Sequence, residues 1–169
     1  MIVYRDAVPE DGPALAAMAR RCFTETFGTL YRQADLAAFL HSAYGENGLI
    51  GVLRDSAHRV RLAVADAAIV GYCTMGPVAF PGEWPDDAVE LCNLYVLGPW
   101  QGEGIAPVLI EWGLDWARRR AASEVILSVF VDNHRARRFY ERYGFVEFAK
   151  YTFMVGEHRD DDRLMRLTL

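Results

Sequence analysis

The fold is decided by residues 91–106, which read LCNLYVLGPWQGEGIA. The segment from Leu91 to Leu97 is rich in apolar and aromatic residues, which predicts a β-strand, and Gly98-Pro99 ends it. Beyond the turn, apolar residues recur with the period of one helix face, at Ile105, Val108, Leu109, Trp112 and Trp116. The stretch therefore predicts a strand, a sharp turn and the beginning of a helix.

The turn between this strand and this helix predicts an anion-binding site. Gly102 and Gly104 allow left-handed dihedral angles and a close approach of the backbone to a ligand. A helix start presents unpaired N–H groups and the positive end of the helix dipole, which favours phosphate. The spacing fits neither the dinucleotide fingerprint nor the Walker motif. A helix that merely begins after a glycine turn would give the same pattern, so the rest of the chain has to decide.

Periodicity elsewhere predicts a mixed α/β layer with one parallel crossover in a hairpin-rich sheet. The predicted strands are residues 2–6, 60–65, 69–75, 125–131, 145–155 and 163–169. A helix is expected to open at residues 9–12 with an apolar face reaching Cys22, and others cover residues 35–44, 48–54, 135–143 and 105 to about 120. Residues 24–31 are expected to be a loop or a broken helix, and residues 77–87 and 156–162 loops.

The bulk properties bound the class of protein. At 169 residues, the chain is expected to be one domain over residues 1–169. A net charge of −5 argues against general nucleic-acid binding and favours cationic partners. No apolar run approaches a membrane span, and residues 1–6 show neither the basic segment nor the apolar run expected of a signal peptide. Three widely spaced cysteines predict a reducing cytoplasm, and the four histidines, taken as surface residues, have no metal-ligand spacing.

A second motif occupies residues 133–145, NHRARRFYERYGF. Asn133, Ala136 and Tyr140 stand at i, i+3 and i+7, which places them on one helix face. The small side chain of Ala136 leaves room for a slender ligand to pass. Taken alone, Tyr140 is as well explained by core packing, because tyrosine in an apolar stripe is usually buried.

Together the two motifs resemble those of the GNAT superfamily of N-acetyltransferases. Gln101-x-x-Gly104-x-Ala106 resembles the acyl-coenzyme A motif of that family, and residues 133–145 resemble its second signature. The motifs come in the family's order, each at a strand-to-helix junction. Residues 151–156, with Asp160-Asp161-Asp162 and Met165, resemble the end of bacterial members, including some polyamine acetyltransferases. The resemblance covers the whole chain.

The resemblance implies a fold and a cosubstrate. The fold is the single-domain α+β GNAT fold, a mixed, mostly antiparallel sheet flanked by helices and split between the fourth and fifth strands. The cosubstrate is acetyl-CoA (coenzyme A), with no metal. The backbone of Leu94, Tyr95 and Val96 would pair with the pantetheine arm, which Asn133 would also contact. The pyrophosphate would be held by the loop of Gln101, Gly102, Glu103, Gly104, Ile105 and Ala106. Pro107 departs from the family pattern and removes one N–H donor.

The implied reaction is direct transfer of the acetyl group to an amine, in which positioning supplies most of the catalysis. Tyr140 would point at the sulfur and protonate the leaving thiolate. Glu90, expected on the strand face alternate to Asn93, is the candidate base, acting through water, with an exposed strand-end carboxylate as the alternative. Cys92 shares the expected face of Glu90 and is assigned to core packing, because direct transfer needs no nucleophile.

Acidic residues suggest the acceptor. The elements expected around its site carry Glu25, Glu83, Asp86 and Asp87, followed later by Glu157 and the run Asp160 to Asp162, which is more simply a solvated loop. Such a mouth attracts cations. The expected acceptor is a small-molecule amine, with a polyamine as the specific hypothesis, and the chain is expected to be a monomer or homodimer. An antibiotic, an amino acid or a protein N-terminus is an alternative acceptor, and a non-catalytic acyl-CoA sensor is the alternative function.

Overall fold

A computed structural model describes residues 1–169 and contains one seven-stranded sheet with helices on both faces. The strands are β1 (Ile2–Asp6), β2 (Arg59–Ala65), β3 (Ala68–Pro77), β4 (Val89–Val96), β5 (Glu124–Phe130), β6 (Val146–Val155) and β7 (His158–Thr168). The helices are α1 (Gly12–Phe27), α2 (Gln33–Ala43), α3 (Leu49–Val52), α4 (Ile105–Arg119) and α5 (His134–Arg142). The strand order is β1-β2-β3-β4-β5-β7-β6.

The sheet opens between β4 and β5, as the resemblance implied. These two strands run parallel and pair only at Val89 with Val125 and at Glu90 with Ile126. Every other neighbouring pair is antiparallel. Both strands continue past the last paired residues, β4 to Val96 and β5 to Phe130. Their free edges therefore bound a gap, and the mixed split sheet of the prediction is confirmed.

Two hydrophobic cores hold the helices against the sheet. Leu109 and Ile110 of α4 are fully buried against one face, in a cluster that also contains Tyr140 of α5. Leu15 of α1 is fully buried against the other face, together with Leu62 of β2. Burying apolar side chains on both faces is the main stabilising contribution to such a layered fold. No helix combines the length and apolar character that a membrane span requires.

A β-bulge at Cys92 changes which side chains share a face of β4. Thr74 pairs with Asn93, whereas the next residue of β3, Met75, pairs with Leu91, so Cys92 has no partner. Because paired residues share a face and Thr74 and Gly76 are two apart, their partners Asn93 and Glu90 lie on the same side of the sheet. The expectation of opposite faces for Glu90 and Asn93 is wrong, since the alternation rule holds only in an unbulged strand.

One predicted helix face and one predicted strand boundary are also wrong. Residues 24–31, expected to be a loop or a broken helix, contain the end of α1 at Phe27 and a separate 3-10 turn over residues 28–30, so the helix breaks within this segment. The buried face of α4 includes Ile110 and Leu114, whereas Val108 is exposed. Strand β7 begins at His158, so most of the predicted loop 156–162 is strand. Charged residues are depleted in strands, which is why the aspartate run suggested a loop.

Candidate functional site

Two cavities meet at the split in the sheet. The larger, about 840 Å³, is lined by the end of β4, the loop before α4, and α5, and we call it the arginine cavity after Arg135, Arg138 and Arg142. The smaller, about 460 Å³, lies on the side of α1 and α2, and we call it the carboxylate cavity after Glu90, Asp160 and Asp162. The residues common to both linings are Phe27, Leu94, Tyr95, Asn133, Ala136 and Tyr140.

The loop before α4 offers free backbone donors to the arginine cavity. Gly102 and Gly104 have φ angles of 90° and 78°, and a Cβ atom added at either would meet no heavy atom within 4 Å. The N–H groups of residues 102–104 have no backbone acceptor within the protein. Gly104 is the N-cap of α4, so the positive end of that helix dipole points the same way. This geometry suits an anion approaching the backbone closely.

Gln101 ties the two sides of the gap together. Its Nε2 donates to the carbonyl of Val96 at 3.0 Å, and its Oε1 accepts a hydrogen bond from Arg135 Nη1. The thiol of Cys22 also contacts the Val96 carbonyl, at 3.6 Å. The side chain of Gln101 therefore bridges β4 and α5, and the Val96 carbonyl is already engaged.

The charge of the arginine cavity is positive. Arg135, Arg138 and Arg142 stand at i, i+3 and i+7 of α5 and line it together. Glu25 is the one carboxylate in the lining, and it is paired with Arg21 at 2.7 Å. Glu25 was expected in the acceptor site, but it lines the arginine cavity instead. It does so because α1 extends past it to Phe27. The cavity as a whole favours an anionic ligand.

The residues expected to bind the coenzyme are brought together here. All of them line the arginine cavity except Glu103, which is exposed in the loop. Asn133 has a structural task as well, because its Oδ1 accepts the N–H of Ala136 at 3.3 Å and so caps α5. Pro107 also lines the cavity and offers no N–H, as the sequence indicated.

Tyr140 stands where the two cavities meet. It is 8% exposed, and its ring packs edge-on against Phe139 and Phe145 at centroid distances of 5.6 Å and 5.8 Å. Burial raises the pKa of its phenol, so the group is protonated at neutral pH. A protonated phenol at the junction can donate a proton to an anion formed there.

Glu90 faces the carboxylate cavity from β4. It is 9% exposed, and its Oε2 accepts the N–H of Ala79 at 2.8 Å. Burial raises the pKa of this carboxyl, and the hydrogen bond from Ala79 partly opposes that effect. A carboxylate with a raised pKa is a better proton acceptor, which is the property a general base needs.

The other carboxylates of this cavity come from β7, in the aspartate run for which the sequence favoured a solvated loop over a place in the acceptor site. Asp160 Oδ2 accepts a hydrogen bond from the Tyr31 hydroxyl, and Asp160 Oδ1 lies 3.2 Å from His158 Nε2. Asp162 Oδ2 accepts the hydroxyl of Ser128 at 2.6 Å. Burial raises the pKa of Asp162 to about 6, with the Ser128 bond lowering it and the charge of Asp160 raising it.

Glu83, Asp86 and Asp87, the expected acceptor residues, line neither cavity. They lie in the loop before β4, where Asp87 accepts the hydroxyl of Ser123 at 2.6 Å. The negative mouth exists, but its charge comes from β4 and β7 and not from this loop. His58, expected at the surface, lines the carboxylate cavity and its Nδ1 lies 2.8 Å from Asp55 Oδ2.

Aromatic rings make up much of the carboxylate cavity, whose lining contains no lysine or arginine. The aromatic lining residues are Phe23, Phe27, Tyr31, Phe39, Tyr44, Phe80, Tyr95, Phe130, Tyr140, Tyr151 and Phe153. Carboxylates set among aromatic faces attract a cation twice, by charge and through the ring quadrupoles. The carboxylate cavity therefore suits a cationic ligand with an apolar body.

Comparison with known proteins points to one family. The model of the acetyltransferase (GNAT) family matches residues 13–145. An uncharacterized N-acetyltransferase of Mycobacterium tuberculosis is 32% identical over 155 residues, covering 92% of this chain and 96% of the relative. One from Lactobacillus delbrueckii is 26% identical over 161 residues, covering 95% and 93%. The crystal structure of PaiA N-acetyltransferase from Thermoplasma acidophilum in complex with coenzyme A superposes with a TM-score of 0.79 at 19% identity, covering 100% of this chain and 99% of that one.

Proposed function

The chain belongs to the acetyltransferase (GNAT) family, and on that premise we propose that it transfers the acetyl group of acetyl-CoA to a primary amine of a small cationic molecule. The observation that carries this proposal is the meeting of two cavities of opposite charge at Tyr140. The cosubstrate is an anion with a long thin arm, and the acceptor is a cation. Each would enter the cavity whose charge attracts it, and the reacting atoms would meet at the shared wall.

The arginine cavity fits coenzyme A by its donor set. The free N–H groups of residues 102–104 and the start of α4 suit the pyrophosphate, and Arg138 and Arg142 supply charge for further phosphate oxygens. The free edge of β4 at Leu94 and Tyr95 suits the amide groups of the pantetheine arm. Ala136 leaves space between α5 and that edge. When bound, acetyl-CoA supplies the acetyl group as a thioester.

The residues at the junction would handle the two protons of the reaction. An amine reaches the carboxylate cavity as an ammonium ion and must lose a proton before it can attack. Glu90 would accept that proton, directly or through water. The N–C bond then forms as the C–S bond breaks, Tyr140 would give its proton to the departing thiolate, and the excess proton on the new amide nitrogen would pass to the Tyr140 phenolate, directly or through water. Buried groups with raised pKa values suit both tasks.

The acceptor is expected to be a small amine, with a polyamine as the specific proposal. Three buried or nearly buried carboxylates and no lining lysine or arginine oppose an acceptor that carries its own carboxylate near the amine, such as a free amino acid. We treat residues 1–169 as one domain that acts in the cytoplasm as a monomer or homodimer without a metal. Its three cysteines are free thiols, which suits a reducing compartment.

Thiol release from acetyl-CoA, measured with a panel of amines, tests the proposal. We expect release that depends on both acetyl-CoA and a cationic amine, with a mass increase of one acetyl group on the amine. Tyr143→Phe is a matched control, since Tyr143 lines neither cavity and lies one turn from Tyr140. Tight coenzyme binding without release for any amine would replace the enzyme by an acyl-CoA sensor. Preferred acetylation of an acidic acceptor would overturn the acceptor class.

A further inference from the structure

One carboxylate oxygen in the carboxylate cavity is buried without a partner. Asp162 is 5% exposed and lines the cavity, and while its Oδ2 accepts the Ser128 hydroxyl, its buried Oδ1 has no hydrogen-bond partner. Leaving a buried carboxylate oxygen unpaired costs folding stability. The neighbouring Asp160 differs, since its two oxygens contact Tyr31 and His158. The unpaired oxygen of Asp162 is therefore best explained by a donor that arrives with a ligand.

The strand register sets aromatic rings on both sides of that carboxylate. Asp162 lies directly opposite Phe130 on β5 and Tyr151 on β6, and paired residues share a face of the sheet. Both aromatic residues line the carboxylate cavity with Asp162. A cation placed against Asp162 Oδ1 would contact a carboxylate and lie near aromatic faces, which attract positive charge.

Asp162 is separate from the residue that would receive the amine proton. Glu90 lies on β4, at the last pair before the split, whereas Asp162 lies on β7, beyond β5. Their environments are also different, because Glu90 accepts a backbone N–H and Asp162 a hydroxyl. The cavity thus presents carboxylates on different strands, with Glu90 on β4 paired to Ile126 and Asp162 on β7 paired to Phe130, four residues farther along β5.

We propose that Asp162 binds a second cationic group of the acceptor, which makes the substrate a diamine or another amine with a second ammonium group. The inference rests on the proposed function and names the substrate class of the same site. One amine of the acceptor would react beside Glu90 and Tyr140. The second would stay protonated and donate to Asp162 Oδ1 between Phe130 and Tyr151.

A homologous series of linear diamines tests the inference, each diamine paired with the amino alcohol of equal length. The wild type should prefer the best diamine over its amino alcohol by roughly tenfold or more in kcat/KM, because the alcohol leaves Asp162 without its ammonium partner. In Asp162→Asn the preference should fall to near one through a loss of kcat/KM for the diamine. Asn keeps an acceptor for Ser128 and nearly the same shape.

Asp161→Asn is the matched control. Asp161 lies between Asp160 and Asp162 on the opposite, exposed face of β7, where it pairs with Arg163, and its loss should leave the diamine preference unchanged. Ser128→Ala provides a second variant, which frees the Asp162 carboxylate and should reduce the preference in part. Equal kcat/KM for diamines and amino alcohols in the wild type, or a preference that survives Asp162→Asn, would overturn the inference while leaving the acetyltransferase proposal intact. Absence of acetyl transfer to every amine would overturn both.

Discussion

The two cavities share a wall but are built in different ways. The arginine cavity takes its donors from two short segments, the loop before α4 and one face of α5. The carboxylate cavity draws on α1, α2, β3, β4, β5, β6 and β7, and its charges are held by side chains from distant segments. A site made of backbone donors and a helix start is encoded locally. A site made of buried side chains requires the whole fold.

The difference in how the two cavities are built matches the difference in what they would bind. A cosubstrate common to many enzymes can be held by backbone N–H groups and by exposed arginines. These contacts tolerate changes of side chains elsewhere in the protein. Selecting one acceptor requires a shaped, water-poor pocket in which polar groups are matched to a particular ligand. Away from the shared wall, we therefore expect substitutions in the arginine cavity to affect the coenzyme alone and those in the carboxylate cavity to affect the choice of amine.

The largest expected effect comes from filling the backbone cradle. Gly104→Val should abolish measurable binding of coenzyme A, because the added side chain would enter the open space next to residues 102–104. Calorimetric titration measures the affinity.

Valine at position 104 also strains a φ of 78°, so a control for strain is needed. Gly144→Ala at a φ of 94° supplies it, because Gly144 lines neither cavity. That control should lower the free energy of unfolding without changing coenzyme affinity. Normal affinity in Gly104→Val would remove the loop from the site.

A smaller effect is expected at the shared wall. Tyr140→Phe should lower kcat by roughly a hundredfold, the low end for general acid catalysis, because the leaving thiolate loses its proton donor. The Michaelis constant for acetyl-CoA should change little. Steady-state kinetics at saturating amine measure both constants. Near-normal turnover in the variant would show that Tyr140 is a packing residue and that it donates no proton at the junction of the two cavities.

The ionised Asp162 carboxylate in the acceptor site should lower the free energy of unfolding. Burial raises the pKa of Asp162 to about 6, above its value in the unfolded chain, so the protonated carboxyl favours folding and that contribution is lost as the pH rises through 6. Asp162→Asn should therefore be more stable than the wild type by roughly 1–2 kcal/mol at pH 8, and the difference should vanish near pH 4. The groups that act on this carboxyl are Ser128, Asp160, Asp161 and Arg163, and its own charge raises the pKa values of Tyr31, Tyr95 and Tyr151.

Urea unfolding of both proteins across that pH range measures the difference. A variant that is less stable than the wild type at pH 8 would mean that the aspartate supports the fold. Its unpaired oxygen would then not need a ligand to explain it. A gain in stability combined with a loss of diamine preference would identify Asp162 as a residue kept for binding.

What the sequence could predict follows the same division. The glycine loop, the start of α4 and the spacing of Asn133, Ala136 and Tyr140 are local patterns, and the structure places them around one cavity. Of the carboxylates in the other cavity, Glu90 was predicted from its place on β4, whereas Asp160 and Asp162 could not be assigned in this way. The bulge at Cys92 reverses the alternation of β4, and no residue type announces it. The aspartate run resembles a loop because its burial depends on Tyr31, Ser128 and the neighbouring strands.

The loop before β4 shows the opposite error. Its acidic residues Glu83, Asp86 and Asp87 suggested a binding surface because they are adjacent in sequence to the strand that forms the site. The structure leaves them outside both cavities. Adjacency along the chain is a poor guide to which residues line a pocket whose walls come from separate elements. The face and register of each strand decide which of its side chains line the pocket.

The division of charge between the cavities is tested most directly in the double variant Arg138→Gln, Arg142→Gln. Its dissociation constant for coenzyme A and its kcat/KM for the best amine at saturating acetyl-CoA are measured beside the wild type. Loss of two charge-assisted contacts to phosphate should weaken coenzyme binding by roughly tenfold, while kcat/KM for the amine stays within about twofold. Unchanged coenzyme affinity, or an equal loss in both constants, would contradict the account that each cavity serves one substrate.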